Sequence, residues 1–330
     1  MRIVGSLALA GALVVIAFLG VEAAGLRGLF GIAVPYAAVL IFFVGLAARV
    51  IGWGRSAVPF RVPTTCGQQR SLPWIRRARL DNPSTAAGAT GQVLLEVLTF
   101  RSLFRNTRAT LRPDGKIVYG SNKWLWAGAL AFHWSLLVIL LRHFRFFVEP
   151  TPKLVAWIQS LDGFFQVGLP EIYVTDAIIV AALAFLLLRR WISPRLRYIS
   201  GVADQLPLLL LLAIATTGIL LRYVDKTDVV SVKEFAIGLV SFHPSVPAGI
   251  GALFFVHLFL VSALFAYAPF SKLTHMAGVF LSPTRNLANN NRARRHVNPW
   301  DHPVHPHTYQ EWEEEFHDKL VAAGIPLDGE

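Results

Sequence analysis

Six stretches of roughly twenty residues run through this chain almost without a charge, and they constrain its fold more than any other feature. They cover 3–21, 28–48, 124–141, 172–188, 205–221 and about 249–270. A helix needs about 20 apolar residues to cross the hydrocarbon core of a bilayer. Only helices and closed barrels satisfy their backbone polar groups there. The whole chain agrees: of 330 residues, 54% are hydrophobic and 15% charged, against about 25% charged in soluble domains. An all-α integral membrane protein, a six-transmembrane helix bundle, is expected. The 172–188 stretch is the weakest span, because Asp176 interrupts it near one end; an ionisable group there sits at the interface or faces the bundle interior. The first stretch follows Arg2 and precedes Ala23–Ala24, as a signal peptide would. Its apolar run exceeds the about 7–15 residues of a signal core, so a retained span is expected.

Lysine and arginine counts orient the spans. Residues 54–122 carry eleven basic residues, from Arg55 to Lys116, against Asp81, Glu96 and Asp114. The loop between spans four and five adds Arg189, Arg190, Arg195 and Arg197, and the segment after span six adds Arg285, Arg292, Arg294 and Arg295. The opposite loops are nearly balanced. Both termini are therefore expected in the cytoplasm, with the protein in the cytoplasmic membrane. The net charge of +11 reflects this topology and contact with anionic lipid, not nucleic-acid binding. The chain divides into two N-terminal spans (1–53), a basic cytoplasmic loop (54–122), a four-helix core (123–281) and a cytoplasmic tail (282–330). The loop opens Pro- and Arg-rich (Pro59, Pro63, Pro73), then reads as a short amphipathic helix over 92–104. The tail turns Pro/His-rich and ends in an acidic, aromatic patch.

A single cysteine, Cys66, rules out an internal disulfide, a four-thiolate iron–sulfur cluster and c-type haem attachment, and reads as structural. Ten histidines remain. Histidine inside a membrane span is costly and points to function. His133 and His143 lie on the third span; His257 lies on the sixth, with His275 on its cytoplasmic extension. Ten residues are about 15 Å of helix and eighteen about 27 Å. The two spans run in opposite directions, so His133 pairs with His275 toward the cytoplasm and His143 with His257 toward the outside. Two cross-helix pairs at two depths suit two bis-histidine b-type haems.

The fit is imperfect. Eighteen residues return His257 and His275 to one helix face, whereas ten leave His133 and His143 about 80° apart. Unequal separations also require tilt or a break, which Pro269 can supply. Interfacial or helix–helix hydrogen-bonding histidines are the plainer alternative, and four in antiparallel register argue against it. A metal-only site is disfavoured, because each depth offers two histidines and no carboxylate to complete a set.

His-x9-His on one span and His-x17-His on a later antiparallel span, with two spans between, resembles the respiratory nitrate reductase gamma subunit family of di-haem cytochromes b. The match covers residues 124–280. The extra N-terminal span and long basic insertion look more like the membrane subunit of the sulfite-reduction-associated DsrMKJOP complex, DsrM; the cytochrome b subunit of heterodisulfide reductase has the same pattern. The resemblance implies an electron wire between menaquinol or menaquinone, beside the outer haem, and a cytoplasmic iron–sulfur subunit like that of heterodisulfide reductase, acting in sulfur metabolism. It implies further membrane and periplasmic subunits of one complex. This chain would carry the quinone half of the reaction and not the cytoplasmic half.

A quinone site needs a proton acceptor and a hydrogen-bond donor. His243, Lys153, Tyr223 and Asp225 are candidates near the outer haem, with Asp176 read as interfacial more than as a proton relay. Arg142, Arg145 and Lys272 are candidates for pairing with haem propionates. His302, His305 and His307 could suggest a metal tract, but without cysteine or matched carboxylates they read as a solvated or subunit-contacting segment, leaving haem iron as the metal. A histidine-lined transporter would call for broken spans repeated in two halves, and no such repeat is visible. A purely structural anchor is the remaining alternative.

Overall fold

A computed structural model of the chain describes residues 2–56, 58, 61–62, 68–105, 108–163, 171–290, 303 and 305–328. Pro59, Pro63, Cys66, Arg292, Arg294, Arg295 and His302 lie outside the described residues.

The first helix, α1 (Arg2–Glu22), is followed by a π-helical turn, Leu29–Ala33, that runs into α2 (Val34–Gly54). The wide turn sits where Pro35 has no N–H to give, a usual cause of a local change of pitch. In the basic segment, α3 (Ala86–Thr99) starts where the Thr85 hydroxyl accepts the Gly88 N–H at 3.2 Å. The amphipathic helix expected over 92–104 is therefore longer at its start. It is also broken at Phe100, whose φ of 49° is left-handed, before α4 (Arg101–Phe104) resumes. The buried Glu96 carboxylate holds that corner by accepting the Ser102 N–H at 3.0 Å. A two-stranded antiparallel hairpin follows, β1 (Arg108–Leu111) with β2 (Ile117–Gly120), Arg108 opposite Gly120. It is a small departure from an all-α chain, turned at Gly115, whose φ is +78°.

The remaining elements are helical: α5 (Lys123–His143), α6 (Lys153–Asp162), α7 (Val174–Ile192), α8 (Pro194–Ile199), α9 (Val202–Tyr223), α10 (Val229–Val240), α11 (Ala252–Tyr267), α12 (His275–Leu281) and α13 (Tyr309–Ala322). Among the described residues, five segments are long and apolar enough to cross a membrane: Arg2–Glu22, Leu29–Gly54, Lys123–Phe146, Val202–Tyr223 and Ala252–Phe270. The expected span at 172–188 forms α7, whose 19 residues carry Asp176, Arg189 and Arg190 within any 18-residue stretch. Charge at both ends, not lack of length, sets it apart. α7 lies between α5 and α9, while α11 packs against α1, α2 and α9. One buried cluster joins Ala17, Phe255, Leu260 and Leu210; a second joins Phe132, Ile179, Leu183 and Leu211 across α5, α7 and α9. The outward faces of α1 and α2 stay apolar, with Val4, Leu40 and Phe43 exposed, as a lipid-facing surface requires.

The last apolar segment does not continue as one helix to His275. α11 ends at Tyr267, Pro269 lies in a 3-10 turn, Ser271 is extended (φ −116°, ψ 179°), and a second 3-10 turn leads into α12 at His275. Proline at the turn removes the N–H that would continue the ladder. The break is seated against α2 at Gly45, where a Cβ would come 2.8 Å from Pro269 Cβ.

The loop and the start of the tail grip each other. Buried Arg61 donates to the Leu287 carbonyl at 2.9 Å and to Gln92 Oε1 at 2.7 Å, and Asn289 Nδ2 donates to Asn82 Oδ1 at 3.0 Å. The loop also reaches α5, where Trp126 and Trp134 donate indole N–H groups to the Thr99 and Leu98 carbonyls.

Candidate functional site

α5 carries His133 in its middle and His143 at its last residue; α11 carries His257, and α12 opens on His275. The structure brings His133 and His275 together with ring centres 5.9 Å apart and planes at 90°. His143 and His257 are neighbours. The ring contact observed is thus that of His133 with His275, and His143 with His257 is the candidate second pair.

Each ring has its Nδ1 engaged. His133 Nδ1 meets the Ala129 carbonyl at 2.7 Å, His143 Nδ1 the Ile139 carbonyl at 2.7 Å, and His275 Nδ1 the Lys272 carbonyl at 2.9 Å. A carbonyl only accepts, so Nδ1 must carry the proton in these three, leaving the Nε2 lone pair free. His257 Nδ1 meets the Thr217 hydroxyl at 2.9 Å. That is the arrangement of metal-ligating imidazoles, whose second nitrogen is held by a protein acceptor.

The residues present fit the group the sequence implies: His133 and His275, which face each other with ring centres 5.9 Å apart, would hold a haem iron through their Nε2 atoms. Among the described residues no cluster of three or more His, Cys, Asp or Glu gathers around a common point. Paired histidines without a carboxylate would suit a haem iron more than a metal held by protein ligands alone.

The surroundings of the two levels differ. His133 is flanked edge-on by Phe100 and Phe132, at 4.8 and 4.7 Å between ring centres. The left-handed Phe100 thus places the basic segment directly on an intramembrane histidine. At the other level, His143 touches Phe146, and His257 lies against α9 at Thr217 and Gly218.

Beside His143, Arg142 was expected at a propionate. It is instead buried between two carboxylates, its Nε 3.0 Å from Asp162 Oδ2 and its Nη2 3.0 Å from Asp176 Oδ1. Asp162 is held further by the Thr175 N–H at 2.9 Å and the Thr175 hydroxyl at 2.6 Å. Tyr223 donates its hydroxyl to Asp176 Oδ2 at 2.9 Å and accepts the Tyr173 N–H at 3.1 Å. The Arg142 and Arg222 guanidinium groups both lie over the Tyr173 ring, at 3.7 and 3.9 Å. A cation taken from water needs such partners, which is why Arg142 is turned inward. Asp176 is accordingly a member of this network and not a solvated interface charge.

The other candidates sit apart. Arg145 donates to Gln159 Oε1 at 2.9 Å. Lys272 is 80% exposed and pairs with Asp204. Lys153 is exposed at the first turn of α6. Asp225 accepts from the Thr227 hydroxyl at 3.1 Å, and His243 Nδ1 faces the Ser241 carbonyl at 2.8 Å. Among the described residues, no hydrogen bond joins Lys153, Asp225 or His243 to the Arg142 network. In the tail, His305 and His307 have ring centres 6.0 Å apart, and His307 lies 3.9 Å from Glu315.

Sequence reasoning missed Thr217, Phe100, Asp162, Thr175 and Tyr173. The signal for Thr217 was a Thr-Thr-Gly interruption in an apolar span; nothing local marked the others.

Comparison with known proteins is consistent with this geometry. The family described as nitrate reductase gamma subunit matches residues 95–293, a stretch that contains all four histidines. A relative from Archaeoglobus fulgidus named "Hdr-like menaquinol oxidoreductase cytochrome b-like subunit" is 46% identical over 280 residues, 83% of each chain. Its namesake from Archaeoglobus profundus is 45% identical over 82% of each chain. The respiratory nitrate reductase 1 gamma chain of Escherichia coli is 28% identical over 160 residues, 45% of this chain and 69% of that one. By sequence, this chain belongs to the nitrate reductase gamma subunit family of membrane cytochromes.

Proposed function

We propose that this chain is the di-haem cytochrome b membrane subunit of a respiratory complex, exchanging electrons between menaquinol and a cytoplasmic iron–sulfur subunit. The observation that carries this reading is the meeting of His133 and His275, 5.9 Å apart between ring centres, with Nδ1 of all four histidines held by a protein group. His133 and His275 hold one haem b and His143 and His257 the other. The names of the two most extensive relatives reported above support menaquinol as the membrane substrate and an Hdr-like partner, and the resemblance to DsrM extends this to sulfur metabolism. The excess of arginine in 54–122 supports both termini facing the cytoplasm, with α7 as a sixth span and anionic lipid around the basic segment.

Bound haems supply one-electron steps between the two levels. This chain's own residues do the rest. The four Nε2 atoms bind, and the Nδ1 bonds fix ring orientation. At the outer level, oxidation of a quinol releases protons. Asp176, whose Oδ2 accepts the Tyr223 hydroxyl and whose Oδ1 pairs with Arg142, is the carboxylate proposed to take them up on the His143 side. Tyr223 therefore leads the quinone-site candidates, with Asp225, His243 and Lys153 at the rim. Arg145 at the outer level and Lys272 at the inner level are the cations left to meet propionates.

Reduced-minus-oxidised spectra of the purified protein test the reading, with two b-type haems expected per chain. His133→Ala should remove one haem and leave the other. An unchanged haem-to-protein ratio in that variant, or no haem in the parent, overturns it.

A further inference from the structure

Of the four ligand-type histidines, His257 alone is held by a side chain. The other three lean on carbonyls within their own chain segment, three or four residues back: Ala129, Ile139 and Lys272. His257 Nδ1 instead meets Oγ1 of Thr217, forty residues away on α9, at 2.9 Å. Thr217 is 7% exposed, so water does not compete freely for either group. The hydroxyl proton is already committed, since Oγ1 lies 2.8 Å from the Ala213 carbonyl and 3.0 Å from that of Ile214. A hydroxyl whose proton points to its own helix offers only lone pairs outward. Nδ1 must then be the donor, and Nε2 the bare nitrogen. The neighbouring position completes the seat: a Cβ on Gly218 would come 3.3 Å from His257 Cε1, so the absence of a side chain lets the ring lie close to α9. The Ile214 carbonyl also faces this imidazole, but Oγ1 is the atom within hydrogen-bonding distance of Nδ1.

We infer that Thr217 is the positioning residue for His257: its hydroxyl accepts the Nδ1 proton, fixes the Nε2-free tautomer, and ties the electronic character of one axial ligand to helix α9. This inference rests on the di-haem reading above. An acceptor at Nδ1 makes an imidazole a more basic ligand, and a more basic axial ligand stabilises the oxidised iron. Because only one of the four ligands depends on a residue that can be replaced without touching its own helix, the two levels can be tuned separately. That separability is a property of the fold, since α9 contributes no histidine to either pair.

The test is a redox titration of the purified full-length protein, followed optically and by low-temperature electron paramagnetic resonance. The variants are Thr217→Val and Thr217→Ser. In Thr217→Val the potential of the haem held by His143 and His257 should rise and its low-spin signal should shift. The potential and signal of the haem held by His133 and His275 should stay where they are. Loss of only the first haem in Thr217→Val, with retention in Thr217→Ser, also supports the inference. Thr217→Ser keeps the hydroxyl and should restore both the parent potential and the signal. Parent-like values in Thr217→Val overturn it, because the Ile214 carbonyl would then suffice as acceptor. Equal loss in both variants overturns it as well, because shape and not the hydroxyl would then matter. Failure of the underlying reading is distinguishable, since the parent protein would then bind no haem at all.

Discussion

Replacing Arg142 by methionine should be one of the most damaging single changes in the bundle. Methionine matches much of the arginine stem in length but brings no charge. It leaves Asp162 and Asp176 without their shared cation, with side chains only 3% and 16% exposed. Asp162 keeps its two donors from Thr175 and Asp176 keeps Tyr223, so neither carboxylate is wholly orphaned. What is lost is two ion-pair contacts and the stack on Tyr173. Removing one partner of a buried pair costs about 3–5 kcal/mol, and a desolvated cation–π contact about 2 kcal/mol. These overlap, because one guanidinium makes all of them, so about 3–5 kcal/mol is expected in total. At about 1.4 kcal/mol per decade, that is roughly two to four decades in the folded-to-unfolded ratio. Denaturation in mixed micelles, followed by tryptophan fluorescence, measures it. Adding Asp162→Asn and Asp176→Asn to Arg142→Met should recover part of the loss, because the uncompensated charges go with their partner. If Arg142→Met unfolds within about 0.5 kcal/mol of the parent, the size of effect seen at ordinary surface sites, these carboxylates are solvated and the reasoning fails.

Two further changes probe the seats of the inner pair. Gly45→Ala puts a Cβ 2.8 Å from Pro269 Cβ; a proline ring cannot swing aside, so a cost of about 1–3 kcal/mol is expected from overpacking, with loss of the His275-linked haem before the other on titration with denaturant. At Phe100, where φ is 49°, Phe100→Gly and Phe100→Ala both remove the ring from His133, but only glycine is at ease in that conformation. Phe100→Gly should therefore be more stable than Phe100→Ala by about 1 kcal/mol in the same assay, and equal stabilities would show that the backbone there stores no strain.

Much of the architecture is legible in the chain because lipid imposes a coarse rule: a span must lack charge over its whole length. Among the described residues five segments meet that rule outright, and α7 falls short of it because Asp176, Arg189 and Arg190 stand at its ends. The histidine pairs are legible for a similar reason, since an imidazole in an apolar run is conspicuous and helix pitch converts spacing into depth. The path between His257 and His275 is less so. Pro269 signals a break, yet whether the helix bends or stops depends on what receives it, and the receiving surface is Gly45 on a helix more than two hundred residues earlier. The hairpin carries its signal in the Arg-Pro-Asp-Gly-Lys turn at 112–116, in a stretch where basic residues dominate the pattern. Arg142 shows the limit most sharply. Its sequence neighbour is a ligand-type histidine, which favours a role at the cofactor; its partners, Asp162 and Asp176, come from two other helices and carry no periodic mark. Thr217 is the same case with less charge. One hydroxyl in an apolar span reads as tolerated polarity, and it acquires meaning only when α11 sets His257 beside it. The histidines proposed as ligands could thus be picked out from depth along a helix, whereas the residues that orient and neutralise are determined by which helices pack together, and nothing in a single span records its neighbours.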